Sequence, residues 1–535
     1  MNLTIAVHTL GCKVNQCDAD ALISALKNLG CNAFSSRDFD SHADVFVINT
    51  CTVTHISEKK SRQMLRRAKK LNPNAFVAVC GCAVRAESSF FSEADFIFDA
   101  RKPDDFFAAL ARFADCNVPE ISSQTCTVAE KNEKNFVAEK NNLTSREKNF
   151  SEEKNSLLSR EKNFVAEKNE KNFNEEKNNL TSREKNFAAE KNNLTSREKN
   201  FAAEKNEKNF AAEKNNLTSR EKNFAAEKNE KIFFSHDVAQ NKKTRAFIKI
   251  QDGCDRFCSY CIVPHVRGEI KSRPLPEIVS EAQNFVAAGA LEIVLTGIQI
   301  AAYGNDTENR AVDVAREYRP ENSLSCVIKK IAALDGVNRL RLSSVDPRAV
   351  DENFLEAVAL PVVCEHFHLS LQSGCDATLK KMNRRYTSAE YAKSAAALRK
   401  IHADAALTTD IIVGFPGESD SDFLESLNFA REMKFAKLHV FEFSPRTGTP
   451  AAEFLGQVAH KIKSERAKIM RDLSDELQKN FLRAQIGKTL DVLFENENFG
   501  HSRNYCAVRT SHSHKKNTIQ KIKINGSENE FLTGE

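Results

Sequence analysis

Residues 246–264 read AFIKIQDGCDRFCSYCIVP, the most informative stretch of the 535-residue chain. Ala246–Ile250 is a short apolar run of the kind that forms a buried strand. Cys254, Cys258 and Cys261 follow it directly, in CxxxCxxC spacing. Because ligands bind at the carboxyl ends of parallel strands, this arrangement predicts a cysteine-rich site at such an edge.

Three thiolates so close in sequence can hold one face of an iron–sulfur cluster and leave one iron open for a substrate or cofactor. Electron carriers use four cysteines instead. The alternative is a zinc site with His265 as its fourth ligand, although zinc sites usually pair two-ligand knuckles. The chain has 15 cysteines, and in an intracellular protein grouped cysteines are metal or redox ligands before they are disulfides.

Cys12, Cys51 and Cys82 form a second group, each just past the end of a predicted strand, in TLGC, INTC and VCGC. Since strand ends share one edge of a parallel sheet, these residues are expected to converge on a second cluster. The alternative for any one of them is a buried cysteine that acts as a small apolar residue. Cys80 competes with Cys82, but Cys80 still belongs to its strand.

Strands alternate with helices on both sides of a repetitive tract, which predicts parallel α/β domains. Three strand candidates precede the tract, and six follow it and suggest a partial or full parallel barrel. Short strands after Gly487 suggest a small β-barrel. The strand candidates are Leu3–Thr9, Asp44–Asn49 and Ala75–Cys80, then Ala246–Ile250, Leu291–Leu295, Arg339–Ser343, His366–Leu371, Leu407–Val413 and Leu438–Phe443, and in the tail Leu490–Phe494, Tyr505–Arg509 and Ile519–Ile524.

The repetitive tract spans Glu130 to Lys231 and is built from variants of EKNNLTSREKNFAAEKN. Large apolar residues recur at every seventh position from Phe136 to Phe164, about half the number that a coiled-coil seam needs. The tract is interpreted as a low-complexity insert, helical or disordered, with a partner-binding helix as the alternative.

Composition limits the remaining possibilities. No apolar run is long enough to span a membrane, and the first residues lack the features of a secretory signal, so a cytoplasmic protein is expected. The formal charge of +5, from 78 basic and 73 acidic residues, is too small to indicate nucleic-acid binding by itself.

Outside the repeat, the sequence resembles the radical S-adenosylmethionine (SAM) methylthiotransferases. The motifs are TLGCKVNQ, INTCTVT, GCDRFCSYCIVPHVRG, TDIIVGFPGE and FSPRTGTPA. Lys13 to Gln16, Lys60 to Gln63 and residues 439–451 favour the branch that acts on threonylcarbamoyladenosine in tRNA. Cys17 and Cys80 stand where that branch often has Tyr and Thr.

The resemblance implies an N-terminal methylthiotransferase domain at 1–125, the insert at 126–235, a radical SAM core at 236–485 and an RNA-binding TRAM-like barrel at 486–535. It also implies two 4Fe-4S clusters, with SAM chelated at the cluster of Cys254, Cys258 and Cys261. One electron would cleave SAM to a radical that removes the C2 hydrogen of the adenine. The other cluster would provide the sulfur, which a second SAM methylates.

Further site residues follow from the same resemblance. Tyr260 could pack against the adenine of SAM, and an electron donor such as flavodoxin or ferredoxin is expected. The predicted SAM contacts are Thr296, Gly297, Ser370, Gln372, Arg385 and Asp410. The predicted RNA contacts are Lys59, Arg62, Arg66 and Lys70 on one helix, and His501, Arg503, Arg509, Lys515, Lys516, Lys521 and Lys523 in the tail.

The predicted function is methylthiolation of N6-threonylcarbamoyladenosine 3′ of the tRNA anticodon. The same chemistry on isopentenyladenosine or on a ribosomal-protein aspartate is the alternative. An iron–sulfur electron carrier or a metal-stapled RNA-binding module are alternatives of a different class.

We predict that deletion of Glu130 to Lys231 leaves methylthiolation intact, because the tract carries none of the cysteines. Activity of the deletion variant on tRNA checks this. A folded, cluster-loaded variant without activity would contradict it.

Overall fold

The computed structural model describes residues 3–36, 43–52, 55–116, 244–306 and 323–535. The predicted insert at 126–235 lies outside these residues. In the described part, no helix is both long enough and apolar enough to cross a membrane.

The N-terminal residues form a five-stranded parallel sheet in the order β2-β1-β3-β4-β5. The central strand β3 is buried along its whole length, because helices cover both faces of the sheet. The strands are β1 (Thr4–Thr9), β2 (Asn32–Ser35), β3 (Val45–Thr50), β4 (Phe76–Gly81) and β5 (Phe96–Ile97), and the helices are α1 (Lys13–Asn28), α2 (His55–Leu71), α3 (Cys82–Ala86) and α4 (Asp104–Cys116).

The chain order reverses between β1 and β3, so the connections that leave their carboxyl ends run to opposite sides of the sheet and open a crevice. All three strands expected here are confirmed. The sequence analysis missed β2 and β5, which have only 4 and 2 residues.

Six parallel strands of the next domain form a partial barrel, as predicted. The strands β6, β8 and β9 pair in parallel, and so do β10, β11 and β12; parallel bridges such as Val345 to Leu369 join the two groups. The strands are β6 (Arg245–Asp252), β7 (Lys271–Ser272), β8 (Glu292–Gly297), β9 (Arg339–Leu342), β10 (His366–His368), β11 (Ala406–Val413) and β12 (Lys437–Glu442).

Helices lie between most of these strands, and strands and helices share one continuous hydrophobic core. β7, which the sequence analysis missed, is a two-residue strand antiparallel to β6 at the open edge. The helices are α5 (Val263–Arg267), α6 (Leu275–Ala287), α7 (Leu324–Ala332), α8 (Glu352–Val358), α9 (Asp376–Lys381), α10 (Ser388–Ile401), α11 (Asp420–Glu432), α12 (Pro450–Glu453) and α13 (His460–Arg483).

The C-terminal residues form a closed five-stranded barrel, which confirms the predicted small β domain. Closure leaves no unpaired strand edge. The sequence analysis did not predict β14 and β17, which have four residues each. The strands are β13 (Thr489–Asn496), β14 (Phe499–Ser502), β15 (Ala507–Thr510), β16 (Ile519–Glu528) and β17 (Phe531–Gly534).

A buried glutamate organises the contact between the two barrels. Glu292 accepts hydrogen bonds from Arg245 and Arg341, each at 2.8 Å. The Arg341 guanidinium also donates to Arg503 O at 3.0 Å. Arg339 donates to Asp491 O at 2.6 Å. The two arginines beside Glu292 therefore bind backbone carbonyl groups of the C-terminal barrel.

We predict that Glu292→Gln destabilises the protein by about 3 to 5 kcal/mol, because it leaves buried guanidinium groups without a counter-charge. Glu356→Gln removes an exposed partner of Lys329 and should cost less than about 1 kcal/mol. Calorimetric melting of the two variants checks this, and equal melting temperatures would contradict it.

The effect should persist in mild acid. Burial tends to raise the pKa of Glu292, but the Arg341 and Arg245 guanidiniums lower it to about 2. Because this pKa lies below the usual value of about 4.3, the stabilisation is complete above that pH and is lost as the pH falls toward 2. The difference between wild type and Glu292→Gln should therefore be similar at pH 8 and pH 6.

Candidate active site with two cysteine triads

The loop after β6 carries the first triad, Cys254, Cys258 and Cys261. The loop is tightly curled, with the Cys261 N–H donating to Cys258 O at 2.9 Å. Gly253 precedes it at φ +73°, and a Cβ there would lie 1.7 Å from Glu269 O, so only glycine fits. The fold therefore brings this triad to the carboxyl end of β6, as expected.

Two polar side chains contact this triad. Arg384 donates from Nη1 to Cys258 Sγ at 3.3 Å, and the Gln299 amide lies 3.1 Å from Cys254 Sγ. Burial raises the pKa of Cys254 to about 11 and that of Cys261 to about 12. Both thiols are therefore protonated at neutral pH in metal-free protein, and a bound metal would displace their protons.

The second triad lies at the crevice of the N-terminal sheet. Cys12 precedes α1, Cys51 follows β3, and Cys82 begins α3 directly after β4. A Cβ on Gly11 would lie 2.7 Å from Cys51 Sγ, which places Cys51 against the turn that carries Cys12. Asn15 Oδ1 lies 3.7 Å from Cys82 Sγ. The topology therefore brings together three residues that are far apart in sequence.

Cys80 is not part of this group. It lies in β4 and is fully buried in the hydrophobic core with Val7 and Val47. Cys82 instead accepts a hydrogen bond from Arg267 Nε at 3.2 Å. The arrangement supports the choice of Cys82.

The donor sets fit iron–sulfur clusters better than single ions. Among the described residues, neither triad has its three sulfurs within 4.8 Å of one another. Zinc–sulfur bonds of about 2.3 Å would hold thiolates roughly 4 Å apart, and a zinc ion would also need a fourth ligand. His265 is exposed against the Phe257 ring and lies outside the cavity described next.

Both triads contribute to one cavity of about 1010 Å³. Cys12 and Cys261 lie in its wall, and the C-terminal barrel adds Asn504 and Tyr505. Tyr505 has a φ of +63°, and the Arg341 guanidinium lies 4.7 Å from its ring centre. The cavity is large enough for SAM and a nucleoside together.

Five of the six predicted SAM contacts line this cavity, and so does Tyr260. The five are Thr296, Gly297, Ser370, Gln372 and Asp410. Arg385 does not: it is exposed, whereas its neighbour Arg384 is partly buried and contacts both Cys258 Sγ and Ser370 O. The structure therefore places Arg384, and not Arg385, at the cysteine loop, and the SAM contact of Arg385 stays a prediction.

Sequence reasoning missed three arginines of the site: Arg267, Arg384 and Arg446. Arg446 lines the cavity and donates to Glu58 Oε2 of α2 at 2.8 Å. Arg267 and Arg446 stand inside the motifs HVRG and SPRTG, and that position was the available signal.

The predicted RNA contacts divide into paired and exposed groups. In α2, Arg62 pairs with Glu58, whereas Lys59 and Lys70 are exposed. In the tail, Arg503 holds Glu365 at 3.0 Å and Lys523 donates to Gly487 O, so both have structural roles. His501 is hydrogen-bonded to Glu495, and Lys521 forms an ion pair with Asp491. The Arg509 guanidinium lies over the Phe531 ring. Lys515 and Lys516 are exposed.

Comparisons with known proteins agree with this site. Residues 248–430 match the model of the Radical SAM superfamily, and residues 4–100 match Uncharacterized protein family UPF0004. Threonylcarbamoyladenosine tRNA methylthiotransferase MtaB of Bacillus subtilis (strain 168) is 30% identical over 519 residues, covering 94% of this chain and 90% of that protein.

Two further similarities are more limited. The tRNA-2-methylthio-N(6)-dimethylallyladenosine synthase of Maricaulis maris (strain MCS10) is 39% identical over 251 residues, covering 47% of this chain and 54% of that protein. The radical SAM methyltransferase TsrM from Kitasatospora setae aligns with a TM-score of 0.46 at 12% identity, over 84% of this chain and 77% of that one. The chain belongs to the radical SAM methylthiotransferase family, whose cofactors are SAM and two iron–sulfur clusters.

Proposed function

We propose that this enzyme converts N6-threonylcarbamoyladenosine 3′ of the tRNA anticodon to its 2-methylthio derivative. The observation that carries the proposal is the single cavity lined by residues of both cysteine triads. The relative named for threonylcarbamoyladenosine aligns over 90% of its own length, against 54% for the one named for dimethylallyladenosine. Methylthiolation of dimethylallyladenosine is the second candidate, supported by the 39% identity of that shorter match.

Partners follow from the substrate. A tRNA would contact the exposed cations Lys59, Lys70, Lys515 and Lys516 through its phosphates. The reaction also needs a single-electron donor, for which a cytoplasmic flavodoxin or ferredoxin is the proposed class.

Cys254, Cys258 and Cys261 would hold the SAM-binding cluster, and Cys12, Cys51 and Cys82 the auxiliary cluster. When bound, these groups supply the electron that cleaves SAM and the sulfur that is transferred. The protein provides charge at the ligands: Arg384 donates to Cys258 Sγ, and Arg267 donates to Cys82 Sγ. Each guanidinium therefore places positive charge and a hydrogen-bond donor beside a sulfur that would bind the cluster.

Polar groups at strand ends would orient SAM. Thr296 ends β8 with a hydroxyl, and the carboxylate of Asp410 on β11 can accept hydrogen bonds from the ammonium or ribose hydroxyls. His368 Nε2 lies 3.3 Å from the Asp410 carboxylate. Tyr505 of the C-terminal barrel lines the same cavity. An adenine stacked in an RNA loop would have to turn out to enter.

We predict that Cys254→Ala abolishes SAM cleavage, while Cys12→Ala keeps SAM cleavage and loses methylthiolation. The reason is that only the first triad holds the proposed SAM site. The variants are assayed in purified form and by nucleoside mass spectrometry of tRNA from cells that lack the gene and carry each variant. Cys326→Ala, outside both triads, is the control and should behave as wild type.

Accumulation of threonylcarbamoyladenosine without its 2-methylthio derivative in the gene-deleted cells would support the substrate. Unchanged tRNA nucleosides there would refute it. Loss of SAM cleavage in Cys12→Ala would refute the division between the triads.

We predict that Arg384→Met slows SAM cleavage at least tenfold and shifts the electron paramagnetic resonance spectrum of the reduced enzyme, because Arg384 touches a cluster ligand. Arg385→Met is the matched neighbour and should stay within about twofold of wild type. Slow SAM cleavage in Arg385→Met together with normal cleavage in Arg384→Met would contradict this prediction and support Arg385 as the SAM contact.

A further inference from the structure

Lys13 is a cation in the cavity without an anionic partner. It begins α1 immediately after Cys12 and lines the cavity wall. Its Nζ lies 5.7 Å from the centre of the Phe247 ring. Within the part of the chain that the structure describes, its ammonium group makes no ion pair and no hydrogen bond.

The other lysine and arginine in the cavity wall are already compensated. Lys437 pairs with Glu530 at 2.9 Å, and Arg446 pairs with Glu58 at 2.8 Å. The remaining carboxylates of the wall are engaged as well: Asp410 lies against His368, and Glu442 is 3.7 Å from Arg471. Among the described residues, Lys13 is therefore the cation of the cavity wall that has no ion-pair partner and is available to a ligand.

The surroundings of Lys13 add positive charge. Lys13 is exposed and lines the cavity, and the guanidinium groups of Arg341 and Arg245 act on it as like charges. Glu292 is the acid that attracts it, but Glu292 already accepts hydrogen bonds from both arginines. Because Lys13 is exposed at the cavity wall, the carboxylate of a ligand in the cavity can form a charge-assisted hydrogen bond with its ammonium group.

A second unpartnered group faces the same cavity. The Nδ1 atom of His366 is buried and has no hydrogen-bond partner among the described residues, and His366 lies in the cavity wall. Its ring centre is 5.0 Å from that of Tyr505. Lys13, His366 and Tyr505 together offer a charge, a free ring nitrogen and an aromatic face. This combination suits a ligand group that is polar, anionic and of limited size.

We propose that Lys13 binds the carboxylate of the threonylcarbamoyl group on the substrate adenosine and selects this substrate over dimethylallyladenosine. The inference rests on the proposed function and names the residue that recognises its substrate. C2 and C6 of adenine flank the same ring nitrogen. An adenine whose C2 faces Cys12 therefore presents its N6 group to the residues beside Cys12.

The selection has a physical cause. The threonylcarbamoyl group ends in a carboxylate, which forms a charge-assisted hydrogen bond with an ammonium group. The dimethylallyl group contains only carbon and hydrogen, so its binding leaves the Lys13 ammonium desolvated and unpaired. A site whose polar group normally pairs with a polar group of the substrate strongly rejects an analogue that lacks that group. An apolar pocket rejects a polar analogue of its substrate much less strongly.

The test compares two anticodon stem–loop RNAs with the full-length, cluster-loaded enzyme. One RNA bears N6-threonylcarbamoyladenosine, and the other bears the methyl amide of the same group, which has no charge. Lys13→Met should lower kcat/KM on the first RNA by about 10- to 100-fold, mainly through KM, and leave the second nearly unchanged. Lys13→Arg keeps the charge and should stay within about fivefold of wild type.

Lys400→Met, at the exposed end of α10, controls for loss of a surface lysine. Equal losses of Lys13→Met on both RNAs, or no loss on either, would overturn the inference. If Lys13→Met fails to retain iron, the test uses kcat/KM of the wild-type enzyme on the two RNAs. A difference of less than twofold between them overturns the proposal.

Failure of the proposed function has a different signature. Wild-type enzyme would then modify an RNA that bears dimethylallyladenosine and leave the threonylcarbamoyl RNA unmodified, which would overturn both proposals. Binding of the two RNAs, measured by fluorescence anisotropy, gives a readout that does not depend on turnover and should show the same dependence on Lys13.

Discussion

The arrangement of the site depends on one buried ion network between the N-terminal sheet and the barrel domain. Arg267 of α5 donates to Asp18 of α1 at 2.8 Å and to Asp252 of β6 at 3.1 Å. Lys249 reaches the same two carboxylates, each at 2.6 Å. Two cations thus face two anions, so the buried charges balance, and removal of any one would leave an uncompensated charge.

This network fixes the distance between the two cysteine triads. Asp18 lies on the helix that begins next to Cys12, and Asp252 lies two residues before Cys254. Arg267 itself continues to Cys82 Sγ. The residues that hold the domains together are therefore the neighbours of the proposed cluster ligands, and domain docking and cluster placement share one set of contacts.

The C-terminal barrel is held by a different principle. Arg339 and Arg341 donate to its backbone carbonyls, and Arg503 of the barrel holds Glu365 in return. The contact makes Tyr505 a wall of the cavity, at a φ of +63° that a tyrosine adopts only under the constraint of its surroundings. Arg503, one of the cations that the sequence analysis assigned to RNA, holds Glu365 at this interface.

Three features could be predicted from the sequence: the parallel α/β character, the six barrel strands, and the grouping of Cys254, Cys258 and Cys261. They could be predicted because periodicity and local motifs depend on residues that are close together in the chain. It also placed Cys12, Cys51 and Cys82 at strand ends, since parallel strands share one edge. The tertiary structure was needed to show that Arg384 and not Arg385 reaches the cysteine loop, that Cys12 and Cys261 line one cavity, and that Lys13 has no anionic partner among the described residues. Those outcomes depend on side-chain direction and on contacts between distant segments, which no local pattern records.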